Sequence, residues 1–168
     1  DLGHWAFETL RYRKDGSDNP DFVLNQPRYK GARILLAGRN FGCGSSREGA
    51  VHAILGMGIR CVIAPSFGDI FFSNCFQNGV LPVVLPQAEI DKLAEEARES
   101  AAGGAFAVDL EAQEIRTPGQ RTVSFAVDPN RRHALLKGLD PIATTLQRAG
   151  DIATFQQRDR QARPWIYG

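Results

Sequence analysis

A chain of 168 residues with 43% hydrophobic content is long enough to bury one proper core, and a formal net charge of +1 with no basic run longer than a pair leaves no electrostatic footprint for nucleic acid. No apolar stretch approaches bilayer length and the opening Asp1-Leu2-Gly3-His4-Trp5 lacks signal-peptide regions, so no membrane contact is expected and a cytoplasmic location is. Three cysteines, Cys43, Cys61 and Cys75, are an odd number without paired spacing, which argues against a disulfide framework and against a complete metal site.

In chain order, residues 4–12 form an apron of loop and short structure, followed by a polar turn at Asp15-Gly16-Ser17-Asp18-Asn19-Pro20. The chain begins without a methionine or an obvious first element, so part of the natural N-terminal segment is expected to be absent. Phe22-Val23-Leu24 reads as a short strand ended by Pro27. Ala32-Arg33-Ile34-Leu35-Leu36-Ala37 reads as a buried strand, and Ala50, Ala53, Ile54 and Met57 recur at helical spacing up to a stop at Gly56 or Gly58. Arg60-Cys61-Val62-Ile63-Ala64 is a second buried strand. Ser66 then caps a helix carrying Phe67, Ile70, Phe71 and Cys75 on one side and closed by Asn78-Gly79, with a third strand over Val80–Leu85. Cys61 and Cys75 therefore read as reduced, buried small hydrophobes.

Two β-α-β crossovers in succession imply a parallel sheet. Pro86 opens an amphipathic helix to about residue 102, ended by Gly103-Gly104, with Ile90, Leu93, Ala94 and Ala97 toward the core. The period then changes to two over Phe106-Val108-Leu110, Glu114-Ile115-Arg116 and Val123-Phe125-Val127, which predicts antiparallel strands. Asp128-Pro129, Asp140-Pro141 and Gly150-Asp151 punctuate a run of short C-terminal helices, with aspartate capping and proline at N1 in the first two.

The stretch joining the first buried strand to its helix carries the chemistry: Gly38-Arg39-Asn40-Phe41-Gly42-Cys43-Gly44-Ser45-Ser46-Arg47-Glu48. Glycines at 38, 42 and 44 are expected to allow positive φ and close approach of a ligand, while the helix start offers free N–H groups and a positive dipole end, a site suited to an anion. Ser45 with Glu48 fits a capping box, in which Ser45 is only a cap. The same geometry would also stabilise a Ser45 alkoxide able to act as a general base, with Arg47 beside it as a two-pronged clamp for a carboxylate. A phosphate loop would require Gly-Lys-Ser/Thr here, so nucleotide triphosphates do not fit. Cys43 lies near the same helix start, but no histidine is close to it in sequence. His4, His52 and His133 are scattered without ligand spacing.

Asn40-Phe41-Gly42-Cys43-Gly44-Ser45-Ser46-Arg47-Glu48 resembles the signature of the aconitase superfamily's swivelling domain, in particular that of the 3-isopropylmalate dehydratase small-subunit family. The likeness continues through Ser66–Pro82, Asp109–Ile115, Asp128–His133 and Gly138-Leu139-Asp140, nearly the whole chain. It implies an α/β fold of the aconitase swivelling type, a three-layer or barrel-like β/β/α arrangement, in a single domain over residues 1–168. It also implies a hydro-lyase that isomerises isopropylmalate by dehydration and rehydration in leucine biosynthesis and is active only as a heterodimer with a large subunit. By motif position Ser45 is the catalytic base, with Arg47, Ser46 and Gly44 on the dicarboxylate substrate. This chain would bind no metal, the four-iron four-sulfur cluster belonging to the large subunit.

Gly49 stands where that family commonly has histidine, and the resemblance leads us to expect that the family's opening segment, with a loop that tunes substrate choice, is absent ahead of Asp1. Homoaconitase, a methyl-substituted malate dehydratase and a non-catalytic anion-binding module are the alternatives.

Overall fold

A computed structural model describes residues 2–44, 47–100 and 105–167. The chain opens with a 3-10 turn at Leu2–Trp5 and a one-turn helix, α1 (Glu8–Arg11), as the apron reading expects. Phe22-Val23-Leu24 is not a strand. Val23–Asn25 and Pro27–Tyr29 are 3-10 turns, because the Asn25 and Gln26 amides donate back to the Phe22 and Val23 carbonyls at 2.9 and 3.2 Å and Pro27 has no N–H for a ladder.

Strands β1 (Ile34–Leu36), β2 (Cys61–Ala64) and β3 (Leu81–Val84) form a parallel sheet in the order β1-β2-β3, with Ile34 opposite Cys61 and Cys61 opposite Leu81. Helices α2 (Gly49–Gly56) and α3 (Asp69–Gln77) connect them. Side-chain alternation divides the core between the two faces of this sheet. Cys61, Ile63, Leu81 and Val83 pack with Ile90 and Leu93 of α4 (Gln87–Glu99), whereas Val62 joins Val51, Ile54, Phe71 and Cys75 of α2 and α3. Burial on both faces explains the near-continuous apolar runs.

Gly58 and Gly79, at φ +92° and +74°, end α2 and α3 in Schellman closures, with Ile59 N–H bonded to the Ile54 carbonyl at 3.1 Å and Val80 N–H to that of Cys75 at 2.9 Å. Ile70, expected on the buried side of α3, is 54% exposed, because Phe71 and Cys75 define the buried stripe and Ile70 lies one residue, about 100°, off it.

A second sheet of β4 (Ala107–Asp109), β5 (Glu114–Arg116) and β6 (Thr122–Ser124) is antiparallel, with Val108 opposite Ile115 and Ile115 opposite Val123. Ile115, Val123 and Phe125 point into the same cluster as α4 and the parallel sheet. The expected mixed α/β architecture, parallel crossovers followed by antiparallel strands, is therefore present. Gly103-Gly104, expected to end α4, lie outside the described residues.

Asp128 and Asp140 cap α5 (Pro129–Lys137) and α6 (Pro141–Leu146) as expected: Asp128 Oδ1 accepts from the Asn130 and Arg131 amides at 3.0 Å, and Asp140 Oδ1 from that of Ala143 at 2.6 Å. Gly150-Asp151 does not break the chain. Helix α7 (Ala149–Ala162) begins ahead of it and holds Asp151 in its first turn, where a carboxylate suits the helix dipole.

Candidate active site

The glycine-rich stretch leaves the carboxyl end of β1 beside the loop that leaves β2, the edge where ligands sit in parallel α/β sheets. The two loops are laced together. Phe41 N–H donates to the Ser66 carbonyl at 3.0 Å and Gly68 N–H to that of Phe41 at 2.9 Å, a parallel bridge beyond the sheet proper. Asn40 N–H donates to Ser66 Oγ at 2.9 Å, and the Ser66 hydroxyl is 3.0 Å from Asn40 Oδ1 as its donor. Ser66 is thus a brace and not the cap expected for α3, whose N-cap is Gly68.

Among the three glycines of the loop only Gly42 takes a positive φ, +77°; Gly38 and Gly44 do not, and Asn40 is also left-handed at +54°. Gly42 is required twice over. A Cβ there would lie 2.2 Å from Phe71 Cγ, so the loop lies directly against α3. A Cβ on Gly68 would come within 2.7 Å of Cys43 Cα, which brings the second loop equally close to the first. Phe41 seals the contact, its ring meeting those of Phe71 at 5.4 Å and Phe67 at 6.4 Å edge-on.

Of the expected site residues, Ser45 and Ser46 lie outside the described residues; Gly44 and Arg47 are described and both are exposed. A Cβ at Gly44 would meet nothing within 4 Å, so its backbone is open to an approaching ligand. None of the ion pairs among the described residues uses Arg47.

The capping box expected from Ser45 and Glu48 places Glu48 in the third helical position, but Glu48 is itself the N-cap; Ser45 lies outside the described residues. Helix α2 starts at Gly49 with Glu48 at its N-cap in helical geometry, and Glu48 Oε1 accepts from Asn78 Nδ2 at 3.3 Å. Asn78, the C-cap of α3, also donates to the Asn74 carbonyl at 2.9 Å. A donor from the neighbouring crossover thus competes for the carboxylate that the sequence pattern reserves for a local bond. Arg47 consequently stands just ahead of the first helical turn. At Gly49 itself a Cβ would meet nothing within 4 Å, so the backbone there leaves room for the first atom of a side chain.

The thiols divide by environment. Cys43 is exposed on the loop, whereas burial pushes Cys61 and Cys75 up to about 12, with their mutual repulsion adding to Cys61. Both are protonated at neutral pH and enclosed by apolar side chains, so neither fits as a thiolate ligand to iron. Among the described residues no group of three His, Cys, Asp or Glu side chains is placed to hold a metal. His4 stacks on Tyr12 at 4.7 Å, and His52 and His133 are exposed on α2 and α5. A cavity of about 280 Å³ lies behind the loop, walled by apolar residues including Trp5, Phe7, Phe41 and Phe71, and offers no charged group to a dicarboxylate.

Asn40, Ser66, Gly68 and Asn78 are the residues at this site that sequence reading misses. Their signal is spatial, a meeting of two loops 26 residues apart at Asn40 and Ser66.

The fold and this strand-end loop define an aconitase-type domain, and residues 2–88 match the family model described as the aconitase C-terminal domain. A LeuD_N model covers residues 91–129, and a model of the C-terminal domain of the small chain of 3-isopropylmalate dehydratase covers 142–168. The chain belongs to the 3-isopropylmalate dehydratase small-subunit family. It is 54% identical over 165 residues to a protein of that name from Parvibaculum lavamentivorans, spanning 98% of this chain and 82% of the relative. It is 52% identical over 164 residues to one from Sinorhizobium fredii, spanning 98% and 81%. A solved structure of 3-isopropylmalate dehydratase (leuD) from Methanocaldococcus jannaschii superposes with a TM-score of 0.57 at 26% identity, covering 92% of this chain and 82% of that one.

Proposed function

We propose that this chain is the carboxylate-binding and proton-abstracting half of a two-subunit hydro-lyase acting on isopropylmalate in leucine biosynthesis. Membership of the small-subunit family supports the reaction class. Removal of a carbon-bound proton and the neighbouring hydroxyl leaves an alkene, and rehydration in the opposite sense moves the hydroxyl to the adjacent carbon. In this reading Ser45 takes the proton, Arg47 grips a substrate carboxylate through two parallel N–H···O bonds, and Ser46 and the Gly44 backbone complete the contact. The observation that carries it is Arg47, exposed and outside every ion pair among the described residues, on a loop clamped at the carboxyl ends of a parallel sheet. The Arg47 charge and the positive end of α2 would stabilise the Ser45 alkoxide, which becomes the neutral hydroxyl on taking the proton.

The four-iron four-sulfur cluster of this enzyme class is assigned to the large subunit, since the Cys61 and Cys75 thiols of this chain are buried and protonated. We read residues 1–168 as one swivelling-type domain, supported by the single cluster that unites β2, β3, α4, β5 and β6, and place the heterodimer in the cytoplasm with its pathway.

The test is to purify the chain anaerobically, measure iron by elemental analysis and follow alkene formation with and without the large subunit. The lone chain is expected to be iron-free and inactive and to gain activity on mixing. Stoichiometric iron or turnover in the lone chain would overturn the two-subunit reading.

A further inference from the structure

The brace between the strand-end loops takes no part in the chemistry above, yet its partners bracket the residues that do. Asn40 holds a left-handed backbone, φ +54°, which an L-residue adopts only at a cost. The Ser66 hydroxyl stabilises it from both sides, accepting from the Asn40 amide at 2.9 Å and donating to Asn40 Oδ1 at 3.0 Å. Both of these bonds of the Ser66 hydroxyl go to Asn40. Eight residues further on, Glu48 is held by Asn78 at 3.3 Å.

Ser66 lies just before α3 and Asn78 caps its end, so the segment between Asn40 and Glu48 is tied at both ends to one helix. Gly42 against Phe71 and Gly68 against Cys43 leave the backbone at residues 42–43 little room to shift. The ties thus fall on Asn40 and Glu48, the described residues on either side of the motif.

We propose that Ser66 is a positioning residue for Ser45 and Arg47, with Asn78 steadying the far end of the segment. The proposal rests on the reading of Ser45 as base and Arg47 as carboxylate clamp. A displacement of about 1 Å at a reacting group can cost about a hundredfold in rate, so a loss of this order is within reach of a residue that never meets the substrate.

The test uses the assembled two-subunit enzyme with Ser66→Ala, Ser66→Thr and, in parallel, Ser45→Ala. Ser66→Ala is expected to lower kcat/KM by about ten- to a hundredfold while the subunits still assemble. Ser66→Thr keeps the hydroxyl and is expected to restore most of the loss. Amide exchange at Asn40 and Phe41 is expected to rise in Ser66→Ala and to return toward wild type in Ser66→Thr. Should Ser66→Ala fail to assemble, Asn40→Gly keeps the positive φ but removes Oδ1 and is expected to lose activity, whereas Asn40→Asp retains the acceptor and is expected to stay near wild type. A normal Ser66→Ala beside a crippled Ser45→Ala overturns the inference alone, as do equal losses in Ser66→Ala and Ser66→Thr. A fully active Ser45→Ala overturns the site reading, and the inference with it.

Discussion

Gly42→Ala is expected to destabilise the chain by about 2–5 kcal/mol. Two costs add. The left-handed backbone at φ +77° penalises any Cβ by about 1–2 kcal/mol. The new methyl would lie 2.2, 2.6 and 2.7 Å from Phe71 Cγ, Cβ and Cδ1, an overpacking of the kind that costs about 1–3 kcal/mol. Spinning the Phe71 ring cannot relieve it, because Cβ and Cγ move only with χ1 or the backbone. Phe71 is 2% exposed and meets Phe41 at 5.4 Å, so neither route is open without disturbing the core. Against a total stability of about 5–15 kcal/mol the loss is large. Gly44→Ala is the control: its Cβ meets nothing within 4 Å and its φ is not in the left-handed range, so the change is expected to stay within about 0.5 kcal/mol. Equilibrium urea unfolding of both variants, followed by far-UV circular dichroism, gives the comparison. A Gly42→Ala midpoint equal to wild type, or a Gly44→Ala loss as large as that of Gly42→Ala, would refute the packing argument.

Alkylation of the native chain by iodoacetamide is expected to stop at one adduct, on exposed Cys43, and to reach all three cysteines only after denaturation; mass spectrometry showing rapid native labelling of Cys61 or Cys75 would contradict their burial. Glu89 is held below the ordinary glutamate range by Lys92 and then Arg121, and Glu96 by Thr117 and then Arg121, which bonds the two carboxylates at 2.7 Å each. A carboxylate depressed in the folded state contributes stability above its unfolded pKa, about 4.3, and loses it as pH falls through the folded value. Urea midpoints measured from about pH 6 down to pH 3 should therefore fall less steeply in Arg121→Met than in wild type, and parallel curves would rule out the linkage.

The parallel sheet is legible in the sequence because its strands are buried on both faces, so Cys61–Ala64 and Leu81–Val84 stand out as apolar runs whatever their surroundings. The caps at Asp128 and Asp140 are equally plain, since aspartate before proline determines a helix start from local bonds alone. Elsewhere a nonlocal partner or a local turn wins over the sequence pattern. Ser66 has the chemistry of a cap but finds Asn40 across 26 residues, and Glu48 has the spacing of a capping box but finds Asn78 across 30. Phe22-Val23-Leu24 looks like a strand by composition, yet Val23–Asn25 closes its own 3-10 bonds beside Pro27. At the site, Gly44 and Arg47 can be named from the motif; that Arg47 stands ahead of the first turn of α2 cannot, because it depends on where Glu48 is drawn.

The central claim is tested most directly by steady-state kinetics of the reconstituted two-subunit enzyme carrying Ser45→Ala or Arg47→Lys. Loss of a positioned base should lower kcat by at least about a hundredfold in Ser45→Ala with assembly intact. Arg47→Lys should mainly raise KM, because a lysine ammonium cannot reproduce the two-pronged carboxylate contact. Near-normal kcat and KM in both assembled variants would contradict the assignment of proton abstraction and substrate binding to this loop.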